Sequence, residues 1–358
     1  MTAGANGEKR RLLWLDFLKV VAILAVLYDH RAGYAMAQQI SAYTGADLLL
    51  QAAATLTRTN VPLFFMVSGA LLLGRTESIG FLFRHRVLRI LIVMVLCTFL
   101  RGYPSWTAAN FLDVFTSKLN WYLYAYLAYL LMLPLLRKLA QGLQEWDAVY
   151  FLAWAAFIDA GLGFMAYFNQ TNPVTAAPAP NTALLVFAPC FGTTFPSLAW
   201  GMMYPLAGYL LLRHGRILSS KAACRLYAGG AICFLLFSIV GITEVNRASM
   251  GTDVELLRAH GLLPASCLFF VWAQRLYENY PVLSYAWIAK FTKEQATCVF
   301  GIYIIETHTE LKNFVEWNIA PQGIHTIWAA LLSMLLQYVI CFFITFLMKK
   351  VPGLRQIL

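Results

Sequence analysis

Apolar residues in this chain gather in long blocks separated by short polar punctuation. Ten blocks can be marked: Leu12–Met36, Leu48–Leu73, Val87–Leu100, Leu119–Leu136, Ala148–Phe168, Thr194–Leu212, Ala222–Ile242, Gly261–Leu276, Ala296–Val315 and His325–Met348. Crossing about 30 Å of hydrocarbon takes roughly 20 residues of helix. With no water at that depth, each backbone amide must bond within its own helix, so the blocks predict helices. The expected fold is all-α: a polytopic integral membrane helix bundle of about ten transmembrane helices, forming one domain over residues 1–358. The third block is short unless it runs past Arg101 to Tyr103.

The first block breaks its own pattern. Leu12–Met36 carries Asp16, Lys19, Asp29 and His30. Lys19 and His30 are eleven positions apart, which at 100° per residue points them within about 20° of each other. Asp16 lies within about 60° of that line, and Asp29 is one residue's turn away. A charge at the bilayer centre costs roughly 2.5–3.5 kcal/mol on insertion scales, so such groups face a bundle interior or a wet cavity and act there. A polar seam along the first helix follows.

Composition supports the membrane reading. Of the 358 residues, 60% are hydrophobic and 12% charged, with mean hydropathy +0.64, where a soluble domain is about 25% charged. The net charge of +10 raises nucleic acid as a partner, but its placement argues otherwise. With the N-terminus inside, 19 Lys and Arg fall in cytoplasmic segments and 7 in outer ones, with Lys19 inside a span. That is the positive-inside pattern, with both termini cytoplasmic. Residues 1–33 imitate a secretory signal, but Lys19 interrupts the apolar run and nine more blocks follow, so they read as an uncleaved first helix. The seven Cys have no Cys-x-x-Cys spacing and read as packing residues, and the six His form no ligand-spaced pair on one helix face, so no metal is implied.

Several residues carry candidate chemistry. Arg84, Arg86 and Arg89 open the third block from the cytoplasmic side, and Arg86 and Arg89 share a helix face. Guanidinium forks match phosphate oxygens two at a time, although these three Arg, with Arg75 before them, also serve topology and anionic lipid. His30 lies about 27 Å along its helix from Leu12, near the outer face. An imidazole there suits general-base work toward a hydroxyl, oriented by Asp29 or by Glu306 of the ninth block. In the second block, Asn60–Gly69 breaks at Pro62 and brings Ser68 and Gly69 where helices approach closely. In the ninth, Tyr303, Glu306 and His308 lie at membrane depth, the last two facing about 160° apart. The outer loop Asn169–Phe191, uncharged and rich in Pro and Ala, reads as a lid or a plain linker, and Glu244–His260, rich in charge, as a solvated turn before a substrate contact.

These pieces resemble the acyltransferase-3 family of integral membrane O-acyltransferases. Leu15-Asp16-Phe17-Leu18-Lys19-Val20-Val21-Ala22 followed by His30 is similar to the family's first-helix pattern, with Lys19 where the family has Arg. Val61–Gly69 resembles its second-helix phrase, Arg86-Val87-Leu88-Arg89 its Arg-x-x-Arg motif, Trp121-Tyr122-Leu123 with Pro134 its fourth helix, and Gly301-Ile302-Tyr303 its late phrase, where Glu306 stands in place of a common His. The resemblance implies acetyl-coenzyme A or another acyl-coenzyme A as cytosolic donor, with a hydroxyl of an envelope glycan or lipid-linked sugar as acceptor. On that footing Arg84, Arg86, Arg89 and Lys19 bind the donor. Asp16, Ser68, Tyr303 and His308 line the substrate path, and His30, Asp29 and Glu306 carry the catalysis. The location it implies is the bacterial cytoplasmic membrane. The competing reading is a transporter or exporter of a polar solute or polysaccharide through the same seam.

Overall fold

The computed structural model describes residues 12–30, 44–102, 114, 117–171, 198–215, 221–247, 262–309 and 327–357; among them there is helix and turn and no strand. The helices, in chain order, are α1 (Leu13–Tyr28), α2 (Gly45–Thr57), α3 (Asn60–Leu72), α4 (Ile79–Leu82), α5 (Leu88–Gly102), α6 (Trp121–Gly142), α7 (Glu145–Thr171), α8 (Leu198–Arg213), α9 (Lys221–Arg247), α10 (Leu262–Asn279), α11 (Ala286–His308), α12 (Ile327–Met348) and α13 (Pro352–Ile357). A π-helical turn, Phe83–Val87, joins α4 to α5.

The helix α1 is central. It packs against α3, α10, α11 and α12, and most of its length is buried. The closest crossing is between α3 and α8, and sequence explains it. A Cβ added at Gly69 would collide with the backbone of Pro205, and one at Gly208 with the backbone of Met66. Two glycines, one from each helix, thus let main chain lie on main chain. A second tight crossing sets Gly301 of α11 against the side chain of Thr345 on α12.

The hydrophobic blocks and the helices differ in one instructive place. Leu48–Leu73 reads as one span, yet the structure divides it into α2 and α3 at Arg58-Thr59. The cause is local and polar. The hydroxyls of Thr57 and Thr59 donate back to the carbonyls of Ala54 and Leu56, and Pro62 brings no amide to the start of α3. Elsewhere the bounds shift: α11 begins ten residues before the Ala296 at which its block opens. Among the described helices, Trp121–Gly142 and Trp328–Met348 are each long and apolar enough to cross a membrane unaided. Apart from helical ends at Asn169–Thr171 and Glu244–Arg247, the two candidate loops lie outside the described residues.

Candidate functional site

The outer end of the seam is built where α1 meets α11. After Tyr28 the helix widens into a π-helical turn at Asp29 and His30, a distortion that recurs at functional sites. Nδ1 of His30 lies 3.0 Å from Oε1 and 2.9 Å from Oε2 of Glu306. A carboxylate only accepts, so Nδ1–H donates and Nε2 is left as the basic nitrogen. Glu306 is buried and also accepts from the Thr307 hydroxyl at 3.0 Å. The imidazole keeps 36% of its side-chain surface accessible, against 1% for the Glu306 carboxylate: a fixed partner behind, an accessible ring in front.

Asp29 goes elsewhere. Its Oδ2 is 3.2 Å from Nη1 of Arg58, at the α2–α3 break. The ion pair therefore ties the end of α1 to the turn that divides the second block, and the carboxylate bonded to His30 comes from Glu306. Next to this cluster, Tyr303 stands edge-on to His308 at 6.1 Å and to Tyr122 at 5.2 Å between ring centroids. His308 is buried.

Aromatic residues of α6 continue the line inward. Tyr122, Tyr126 and Tyr129 fall on one helix face at i, i+4 and i+7, each within about 6 Å of the Phe65 ring (5.9, 6.3 and 6.0 Å). Tyr126 shares a hydrogen bond with Ser68 and lies within electrostatic reach of Arg86 and Arg89. Tyr122 and Tyr126 are half-buried, and Tyr129 is buried. Lower on α1, Nζ of Lys19 is 3.1 Å from Oδ1 of the buried Asp16.

The arginines cluster near the start of α5 and around Glu77. Arg84 is exposed. Nε of Arg89 donates to the carbonyl of Ile357 in α13 at 2.8 Å, with its guanidinium 5.5 Å from the Phe300 ring centre. Arg86 is held by Glu77, through Nε at 3.2 Å and Nη2 at 2.7 Å. Arg137 of α6 also reaches Glu77, Nη2 to Oε2 at 2.8 Å, and Arg75 approaches the same carboxylate at 3.4 Å. Burial would raise the Glu77 carboxyl, but hydrogen bonds and charge from Arg86 and Arg137 outweigh it and hold the group at about 2. Sequence reasoning missed Glu77 and Arg137. The signal for the first was present, since Glu77 is the only acid between Arg75 and Arg89.

A histidine braced by a buried carboxylate, a row of tyrosines packed on Phe65 and a cluster of guanidinium groups around Glu77 make up the polar features of this helical protein. The sequence model of the acyltransferase-3 family, described as an acyltransferase domain, matches residues 12–347. The chain belongs to that family and is a membrane acyltransferase. No curated protein and no solved structure matches it.

Proposed function

We propose that the protein moves an acyl group, acetyl in the simplest case, from cytosolic acyl-coenzyme A to a hydroxyl of an envelope glycan or lipid-linked sugar. The observation that carries this reading is the His30–Glu306 contact. With Nδ1 committed to the carboxylate, Nε2 takes the proton of the acceptor hydroxyl as its oxygen attacks the thioester carbonyl. The C–S bond then breaks, and the proton passes from Nε2 to the departing thiolate. Asp29 holds the geometry through Arg58, and Tyr303 and His308 border the space where the acceptor sits. Arg84, Arg86 and Arg89 receive the donor phosphates, while Lys19 with Asp16 and Ser68 with Tyr126 line the way between the two ends.

The setting is a multi-pass bundle in the bacterial cytoplasmic membrane, about ten spans with both termini inside. Supporting it, large apolar side chains stay exposed in stripes along several helices, among them Leu88, Ile92 and Val95 on α5, and Trp328, Leu332, Leu335, Val339 and Phe343 on α12. Such faces far exceed what a soluble monomer leaves open.

The test is release of coenzyme A thiol from acetyl-coenzyme A by protein in vesicles carrying envelope extract, with mass spectrometry of the acylated product. Wild type is expected to release thiol and add one acetyl mass to one glycan, and His30→Ala to lose about 10²–10⁴-fold of that rate while still inserting. Full activity in His30→Ala removes the base, and solute flux without thiol release marks an exporter.

A further inference from the structure

We propose that Glu77 is a positioning residue for the donor, aiming the guanidinium of Arg86 at the phosphates of acyl-coenzyme A and anchored to the helix frame by Arg137. The inference rests on the donor reading above.

The anchoring runs from the frame outward. Arg137 is buried, and its Nε donates at 3.0 Å to the carbonyl of Leu72. That carbonyl, in the last turn of α3, also accepts the backbone amide of Arg75 at 3.3 Å. With one edge fixed there, Nη2 of Arg137 reaches Oε2 of Glu77 at 2.8 Å. Glu77 in turn grips Arg86 side-on, Oε2 accepting from Nε and Oε1 from Nη2.

A guanidinium carries five N–H donors in one plane. The side-on contact uses two, so about three remain, including the end-on pair formed by Nη1 and Nη2. Gripped on one edge, the plane no longer turns freely, and the opposite edge has a set direction. That edge belongs to the residue whose charge reaches Tyr126 and Tyr129, the inner two of the tyrosine line.

Electrostatics point the same way. Arg75, Arg86 and Arg137 bring three positive charges to one carboxylate, leaving the cluster at +2 (3 − 1). It still attracts an anion. Because Glu77 stays ionised down to about pH 2, its hold on Arg86 does not relax by protonation at ordinary pH. Arg86 sits in a π-helical turn, a distortion frequent at functional sites.

The experiment titrates the purified full chain in detergent with coenzyme A and with pantetheine, which lacks the nucleotide phosphates. Wild type is expected to bind coenzyme A more tightly. Glu77→Gln should weaken coenzyme A binding about tenfold and leave pantetheine binding unchanged, and Glu77→Asp should restore part of the loss. Coenzyme A affinity that is unchanged or tighter in Glu77→Gln overturns the inference, as does an equal loss for both ligands, which is what a general structural role produces. Wild type that does not distinguish the two ligands removes the phosphate dock itself, and the inference falls with it. Should Glu77→Gln fail to fold, Arg137→Lys keeps the charge but loses the fork. It is expected to reproduce the selective loss, and wild-type affinity there counts against the proposal.

Discussion

Whether a histidine acts as a base depends on which of its nitrogens a neighbour engages. In this protein the neighbour is Glu306, 276 positions away along the chain. Glu306→Gln keeps an acceptor beside Nδ1 but removes the charge, and acyl transfer should fall roughly 10–100-fold, short of the loss in His30→Ala; an unchanged rate means the charge plays no part. Arg58 and Asp29 form a largely buried pair, and breaking such a pair from one side typically costs about 3–5 kcal/mol. Arg58→Gln should therefore lower thermal stability more than the Arg58→Gln, Asp29→Asn double variant, and the reverse order refutes the pairing. Glu77 brings a pH dependence with a definite sign. Its folded carboxyl lies at about 2 against 4.5 unperturbed, so its stabilisation is complete above about pH 4.5 and is lost as pH falls toward 2. Melting measured at pH 5 and pH 3 should show a smaller drop in Glu77→Gln than in wild type. Lys19 and His30 were marked in the sequence by their spacing along one helix, and Arg86 by the arginine cluster that opens the third block. The choice between Asp29 and Glu306 was not, because no angle measured on α1 contains information about α11.

Both chemical ends fall on distorted helix. Asp29 and His30 occupy one π-helical turn, and Arg84, His85 and Arg86 another. The regular 3.6-residue period that relates Arg86 to Arg89 is therefore broken at Val87, and the two guanidiniums find different partners: Glu77 for one and Ile357 for the other. Apolar patterning cannot reveal an extra residue in a turn, since it reads the same sequence with an assumed period. The division between α2 and α3 was more nearly visible. Thr57-Arg58-Thr59-Asn60 is a polar run before Pro62, and it outweighs the apolar residues on either side. Close packing of α3 on α8 gives a direct test. Gly69→Val places carbons where the Pro205 main chain already lies, and overpacking of this kind costs about 1–3 kcal/mol or more. Gly80→Ala, with open space around it, should change stability by less than about 0.5 kcal/mol. Equal melting temperatures for the two variants would show that the crossing tolerates expansion.

For the molecule as a whole, the described interior is mostly apolar, with a minority of buried polar groups such as Asp16, Asp29, Glu306 and His308 set into it, while large apolar side chains such as Trp328, Leu332 and Phe343 also stay exposed. The all-helical class was legible because a bilayer permits little else. The number of spans was less so: one block divides into two helices, and among the described helices two are long and apolar enough to cross a membrane on their own. If the outer stripe of α12 faces lipid, Leu335→Asp should impair insertion by roughly 2.5–3.5 kcal/mol, read as the fraction of protein recovered in the membrane; normal recovery argues against lipid contact there. The turn at Arg58-Thr59 has a mechanical consequence. Arg58 holds Asp29, the residue before His30, so the turn and the imidazole's end of α1 are coupled like links of one chain.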